Sequence, residues 1–139
     1  MECPFCHIES ENISPRVIKL GQFSYSIVSS PWIRSGHCLV IPRRHITNIA
    51  ELIDPEAIEI YRELGRIGSL VDAGFGNEVR QKYAPMTPDG EIKHSHLHFH
   101  VIPRNRGDGV FIQLPENSST DFIKPSIDEI KACLATTQP

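Results

Sequence analysis

The 139-residue sequence contains no apolar run approaching the roughly eighteen residues of a membrane span. Its start, Met1-Glu2-Cys3-Pro4-Phe5-Cys6, has neither the positive charge nor the apolar stretch of a signal peptide. The chain is therefore expected in the cytoplasm, with no membrane partner. It also lacks a basic excess. The formal net charge of −3 argues against general nucleic-acid binding and leaves room only for a local anion site. Internal repeats and long low-complexity segments are absent as well. The length suits one domain over 1–139 with a real core and is too short for two ordinary ones.

Cysteines are few: Cys3, Cys6, Cys38 and Cys133. In a chain that is not exported they should be reduced thiols, which excludes a disulfide framework. Cys3 and Cys6 have the C-x-x-C spacing of a redox couple or of half a zinc site. A redox pair would open a helix inside a βαβ unit, and nothing strand-like precedes this one. Zinc is the better reading, provided two further ligands exist.

Residues 16–21 and 24–29 read as two short strands joined by a turn at Gly21 and Gln22. Residues 37–41 form an apolar run of strand length stopped by Pro42, and 46–52 suit a short helix. A long helix follows, with Asp54 as its cap and Pro55 in its first turn. Ile60, Tyr61, Leu64, Ile67 and Val71 form its apolar stripe, and 73–76 end it. Residues 78–84 suit another strand, 85–90 a loop, and 126–134 a closing helix. Strands, then a helix, then strands give an α+β fold with a mainly antiparallel sheet.

Four of the seven histidines stand on alternate positions in 94–102. As a strand, this segment puts His94, His96, His98 and His100 on one face and Ser95, Leu97, Phe99 and Val101 on the other. The second set belongs against a core. The first cannot be buried in a row unless its nitrogens find partners or ligands. Such an array suits phosphate chemistry, with one imidazole attacking while the next protonates the leaving group. The run is internal, which excludes a tag, and an adventitious metal ladder would not account for its apolar alternation.

His96-Leu97-His98-Phe99-His100-Val101-Ile102, continued by Pro103-Arg104, resembles the signature of the histidine triad family. Gly36-His37-Cys38-Leu39-Val40-Ile41-Pro42-Arg43-Arg44-His45 is similar to that family's glycine-histidine strand, and the Cys3/Cys6 pair to its zinc-containing branches. The resemblance spans 1–104 and leaves 105–139 as a C-terminal extension. It implies a histidine triad-like fold and a nucleotide phosphoramidase or dinucleoside polyphosphate hydrolase. His98 would attack the α-phosphorus, His100 would protonate the leaving group, and His37 would line the same pocket. His96 is the first triad histidine, and His94 is an extra member. Nucleotidyltransferase or phosphorylase activity, or nucleotide binding without turnover, are the alternatives.

The resemblance also implies a structural zinc on Cys3, Cys6, His45 and His96, with His7 and His94 as competing donors. Metal would pin an N-terminal segment of little apolar mass to the sheet. The position where the family often has an aspartate or asparagine for ribose is Ser29 here. The family's Gly-Gln lead into the triad is replaced by Glu91-Ile92-Lys93-His94, so Gln81, Lys82 or Lys93 would have to supply the phosphate contact. A two-fold homodimer is expected, with sheets joined and the long helices packed together.

Overall fold

The computed structural model describes residues 3–30, 33–72, 74–82 and 95–109, together with 128, 131 and 132. Five strands form one sheet: β1 (Val17–Leu20), β2 (Ser24–Val28), β3 (Cys38–Pro42), β4 (Asn77–Lys82) and β5 (His98–Pro103). Their order is β1-β2-β3-β5-β4, and every neighbouring pair is antiparallel. One long helix, α1 (Asp54–Leu70), lies on one face. This is the expected α+β arrangement.

Alternation along the strands sorts the core into two layers. Cys38, Val40, Phe99 and Val101 face α1 and meet Ile60, Leu64 and Ile67 from its buried stripe. Tyr25, Ile27, Leu39 and Ile41 face the other way and meet Phe5 and Ile13 of the N-terminal segment. That segment is thus held by apolar burial and does not depend on metal alone, contrary to the expectation from its composition. Burying Phe5 contributes about 1.5–3 kcal/mol on the usual scale.

Several element boundaries differ from expectation for identifiable reasons. The short helix read at 46–52 shrinks to a single turn, Ile49–Glu51. Asn48 caps it by accepting from Ala50 N at 2.9 Å, while Glu51 accepts from Asn48 N at 2.9 Å, so it cannot start earlier. Asp54 is the first residue of α1, and its cap is Ile53, whose N–H donates to Glu56 Oε1 at 3.0 Å. Tyr61 leaves the expected stripe and is 75% exposed.

The histidine segment enters the ladder only at His98. Leu97 N–H instead donates to Ile46 O at 2.7 Å, and Leu97 is fully buried. Of the closing helix, only Asp128, Lys131 and Ala132 are described, and all three are helical. His94, Lys93 and Cys133 lie outside the described residues.

On the face away from α1, β5 presents His98 and His100. Gly36, just before β3, has φ +89°, a left-handed conformation suited to glycine. An added Cβ there would stand 3.2 Å from Pro103 Cγ and 3.4 Å from Val71 Cβ. Glycine therefore lets the chain turn tightly into β3 and deliver His37 beside β5.

Candidate functional site

The histidines are ordered by hydrogen bonds that fix which nitrogen carries the proton. Ile33 N–H can only donate, and it lies 3.0 Å from His37 Nδ1. In neutral His37 the proton must then sit on Nε2. That nitrogen is 2.8 Å from His100 Nδ1, so His37 donates and His100 accepts. Neutral His100 therefore keeps its own proton on Nε2. The two rings lie 5.0 Å apart between centroids, at an interplanar angle of 31°.

His98 is set the opposite way. Its Nδ1 lies 2.7 Å from the carbonyl oxygen of His96, an obligate acceptor, so Nδ1 carries the proton and Nε2 keeps a lone pair. The His98 and His100 centroids are 5.1 Å apart. Side by side, one strand face thus offers a lone pair on His98 and an N–H on His100. A nucleophile needs the first and a general acid the second. His98 is 3% exposed, which keeps bulk water from competing for its orientation.

His96 belongs to a second centre. Its Nε2 donates to Pro42 O at 2.8 Å, leaving the Nδ1 lone pair directed at the cysteines. Cys3 Sγ is 3.3 Å and Cys6 Sγ 3.6 Å from that nitrogen, and Cys6 Sγ is 3.1 Å from His45 Nδ1. All four ligand atoms lie within 4.8 Å of one another, and among the described residues no other such group could share a metal ion. Ligand–ligand edges of a tetrahedral Cys₂His₂ zinc site, from metal–sulfur and metal–nitrogen bond lengths, are about 3.3–3.8 Å. The donor set and the His96 tautomer therefore fit zinc. Burial, together with the hydrogen bond and charge of Cys3, pushes the Cys6 thiol up to about 11. His7 lies outside the group and faces Glu9 at 3.6 Å.

The remaining sequence-expected residues divide. Ser29 is buried beside His37, donating its N–H to His37 O at 2.9 Å. Gln81 does not join the array. It stands opposite Phe99 in register and lines a groove on the α1 side, because a one-residue step along β4 reverses the face. Its neighbour Arg80 stands opposite His100, on the histidine face, and pairs with Glu78. Sequence reasoning also missed Phe5, the Ile33 N–H and the Pro42 carbonyl. Only Phe5 carried a signal, as the aromatic residue inside the C-x-x-C pair.

A family model described as "HIT domain" matches residues 12–107. The chain is 28% identical over 139 residues to a Schizosaccharomyces pombe protein named adenosine 5'-monophosphoramidase, covering 95% of this chain and 98% of that protein. Among solved structures, a member of the HIT family from Bacillus subtilis superposes with a TM-score of 0.74 at 21% identity, covering 100% of this chain and 99% of the other. A zinc-bound histidine triad family protein from Mycobacterium smegmatis gives a TM-score of 0.62 at 22% identity, covering 98% and 95%.

Proposed function

Because the chain belongs to the HIT domain family, we propose that it is a nucleotide phosphoramidase or dinucleoside polyphosphate hydrolase working through a nucleotidyl–His98 intermediate. The observation that carries this reading is the opposed pair of tautomers. His98 Nδ1 is tied to the His96 carbonyl at 2.7 Å, while His100 Nδ1 is supplied by His37 at 2.8 Å.

In the first step His98 Nε2 attacks the α-phosphorus and forms a P–N bond. The bond from phosphorus to the leaving group breaks with its electron pair, and His100 Nε2–H gives that group its proton. His37 Nε2–H, still donating to His100 Nδ1, stabilises the negative charge left on that ring. Water then attacks the same phosphorus and returns a proton to His100 Nε2, the P–N bond breaks with its electron pair going back to His98 Nε2, and the nucleoside monophosphate leaves. Splitting the displacement in two lets one positioned imidazole serve both halves. Ser29, beside His37, is the candidate for the ribose hydroxyls. Arg80 is better placed than Gln81 to meet phosphoryl charge.

Zinc on Cys3, Cys6, His45 and His96 would supply a structural crosslink between the N-terminal turn and the sheet. The name of the fission-yeast relative and the zinc in the mycobacterial structure support these assignments. A homodimer belongs to the same reading. β4 is an edge strand of the described sheet, and a groove of about 570 Å³ runs between it and α1, with Tyr61 75% and Val79 47% exposed along it.

The test is turnover on a panel of adenosine and guanosine phosphoramidates and dinucleoside polyphosphates. Release of a nucleoside monophosphate is expected. Binding of the same compounds without release would leave a nucleotide-binding protein and defeat the proposal.

A further inference from the structure

Phe5 lies inside the Cys3–Cys6 pair, on the turn Pro4–Cys6, and is buried in the apolar layer against which Cys3 packs. It is 7% exposed, and its centroid is 5.2 Å from that of His98 and 5.9 Å from that of His96. Tyr25 Oη donates to the Phe5 carbonyl at 2.6 Å, which fixes the backbone behind the ring. The turn that carries two metal-ligating thiols therefore also carries a wall of the nucleophile's seat.

Two routes join the thiol centre to His98. One is main chain: His96 offers Nδ1 to both sulfurs and its carbonyl to His98 Nδ1. The other is Phe5. Rotation of the His98 ring about Cβ–Cγ would break the bond from Nδ1 to the His96 carbonyl, and a half-turn would put Cδ2 in the place of Nδ1 and Cε1 in the place of Nε2. The Phe5 ring packs against His98 at 5.2 Å between centroids and a tilt of 56°, a contact that such a rotation would disturb. Within the turn, Pro4 is half-buried and Cys6 is exposed, so Phe5 is the residue that reaches inward.

We propose that Phe5 is a positioning residue for His98, and that closure of Cys3 and Cys6 on a metal ion holds Phe5 in place, so that metal occupancy sets the orientation of the nucleophile. The effect on turnover rests on the proposed role of His98. The effect on the His98 ring does not. Displacing a nucleophile by about 1 Å can cost on the order of 100-fold in rate, so a loosened Phe5 acts on kcat while leaving KM nearly unchanged.

The experiment uses the full chain with ¹⁵N-labelled histidine, loaded with zinc, and reads the His98 tautomer by long-range ¹H–¹⁵N correlation. The parent should show a single His98 signal with the proton on Nδ1. Phe5→Ala should retain its zinc, show a mixed or broadened His98 signal, and lose about 10- to 100-fold in kcat. Phe5→Leu, which keeps apolar bulk and decides the matter if the alanine variant does not fold, should fall between them. The parent stripped by a chelator should lose the single His98 signal in the same way. A zinc-loaded Phe5 variant with the parent's His98 signal and kcat would overturn the positioning role, and an unchanged signal in the stripped parent would overturn the metal link. A parent with no turnover would count against the proposed reaction, while the His98 signal would still decide this inference.

Discussion

The carbonyl oxygen of His96 lies 2.7 Å from Nδ1 of His98, so the residue that points its ring at the cysteines also fixes, through its main chain, the tautomer of its neighbour two positions on. Alternation on one strand gives adjacent imidazoles different tasks because each Nδ1 meets a different partner. The His96 ring nitrogen meets thiols, that of His98 a carbonyl, and that of His100 an N–H.

His98→Ala should reduce turnover by roughly 10³-fold or more, as expected when a covalent nucleophile is removed. The loss should fall on kcat, with the melting temperature little changed. His98→Gly with added imidazole should recover part of the rate. Steady-state kinetics checks both. Near-parental turnover in His98→Ala would exclude the covalent route.

His37→Phe removes the donor to His100 while keeping a ring in the buried site. His100 Nδ1 then loses the N–H that holds its own proton on Nε2, and kcat should fall by about 10- to 100-fold, the range of a weakened general acid. A substrate with a good leaving group needs less protonation and should lose less. Comparing a poor and a good leaving group on parent and variant measures this.

Metal analysis of protein purified without chelator should find one zinc per chain. The Cys3→Ser, Cys6→Ser double variant should lose the zinc and melt lower, since binding to the folded state contributes folding free energy. The decrease should remain partial, because Ile13 of the same segment is buried against Tyr25, Ile27, Leu39 and Ile41 by apolar contact. A variant that melts like its parent would reduce the pair to two thiols.

Glu63 ties α1 to β2. Burial raises its carboxyl pKa, but hydrogen bonds from Arg66 and Ser26 outweigh burial and hold it below the ordinary value. A depressed carboxyl contributes stability above its unfolded pKa of about 4.3, and that contribution is lost as pH falls through the folded value. Glu63→Gln should therefore cost about 1–2 kcal/mol near neutrality, the scale of a charge-assisted hydrogen bond. The gap between variant and parent should close below about pH 4. Denaturant melts at pH 7 and below pH 4 check the sign.

Light scattering at micromolar concentration should give a dimer. Tyr61→Glu, which sets a charge on the outward face of α1, should give a monomer of lower stability by leaving an unpaired charge in the contact. A monomeric parent would leave the groove between α1 and β4 without its expected cover.

Period-two alternation made His98 and His100 legible in the amino-acid sequence alone, because the residues between and after them, Phe99 and Val101, are apolar and had to face a core. The metal-capable group of Cys3, Cys6, His45 and His96 was legible only through the family resemblance, since spacing alone left His7 and His94 in competition with His45 and His96. The face taken by Gln81 was not legible, because it depends on the register of β4 against β5, and register is a property of pairing. The turn at Ile49–Glu51 was overread as a helix because an apolar stretch this short fits several structures. Tyr61 followed helical spacing yet lies outside the core, since periodicity does not say how wide the covered stripe is.

The central claim is a bond between His98 and a nucleotide phosphorus, and the most direct measurement is intact-protein mass spectrometry after rapid quenching with substrate at alkaline pH, where a phosphoramidate survives. A mass increase of one nucleoside monophosphate is expected. It should map to the peptide containing His98, disappear on acid treatment, and be absent in His98→Ala. Turnover with no adduct at any quench time, or an adduct of the same yield in His98→Ala, would contradict it.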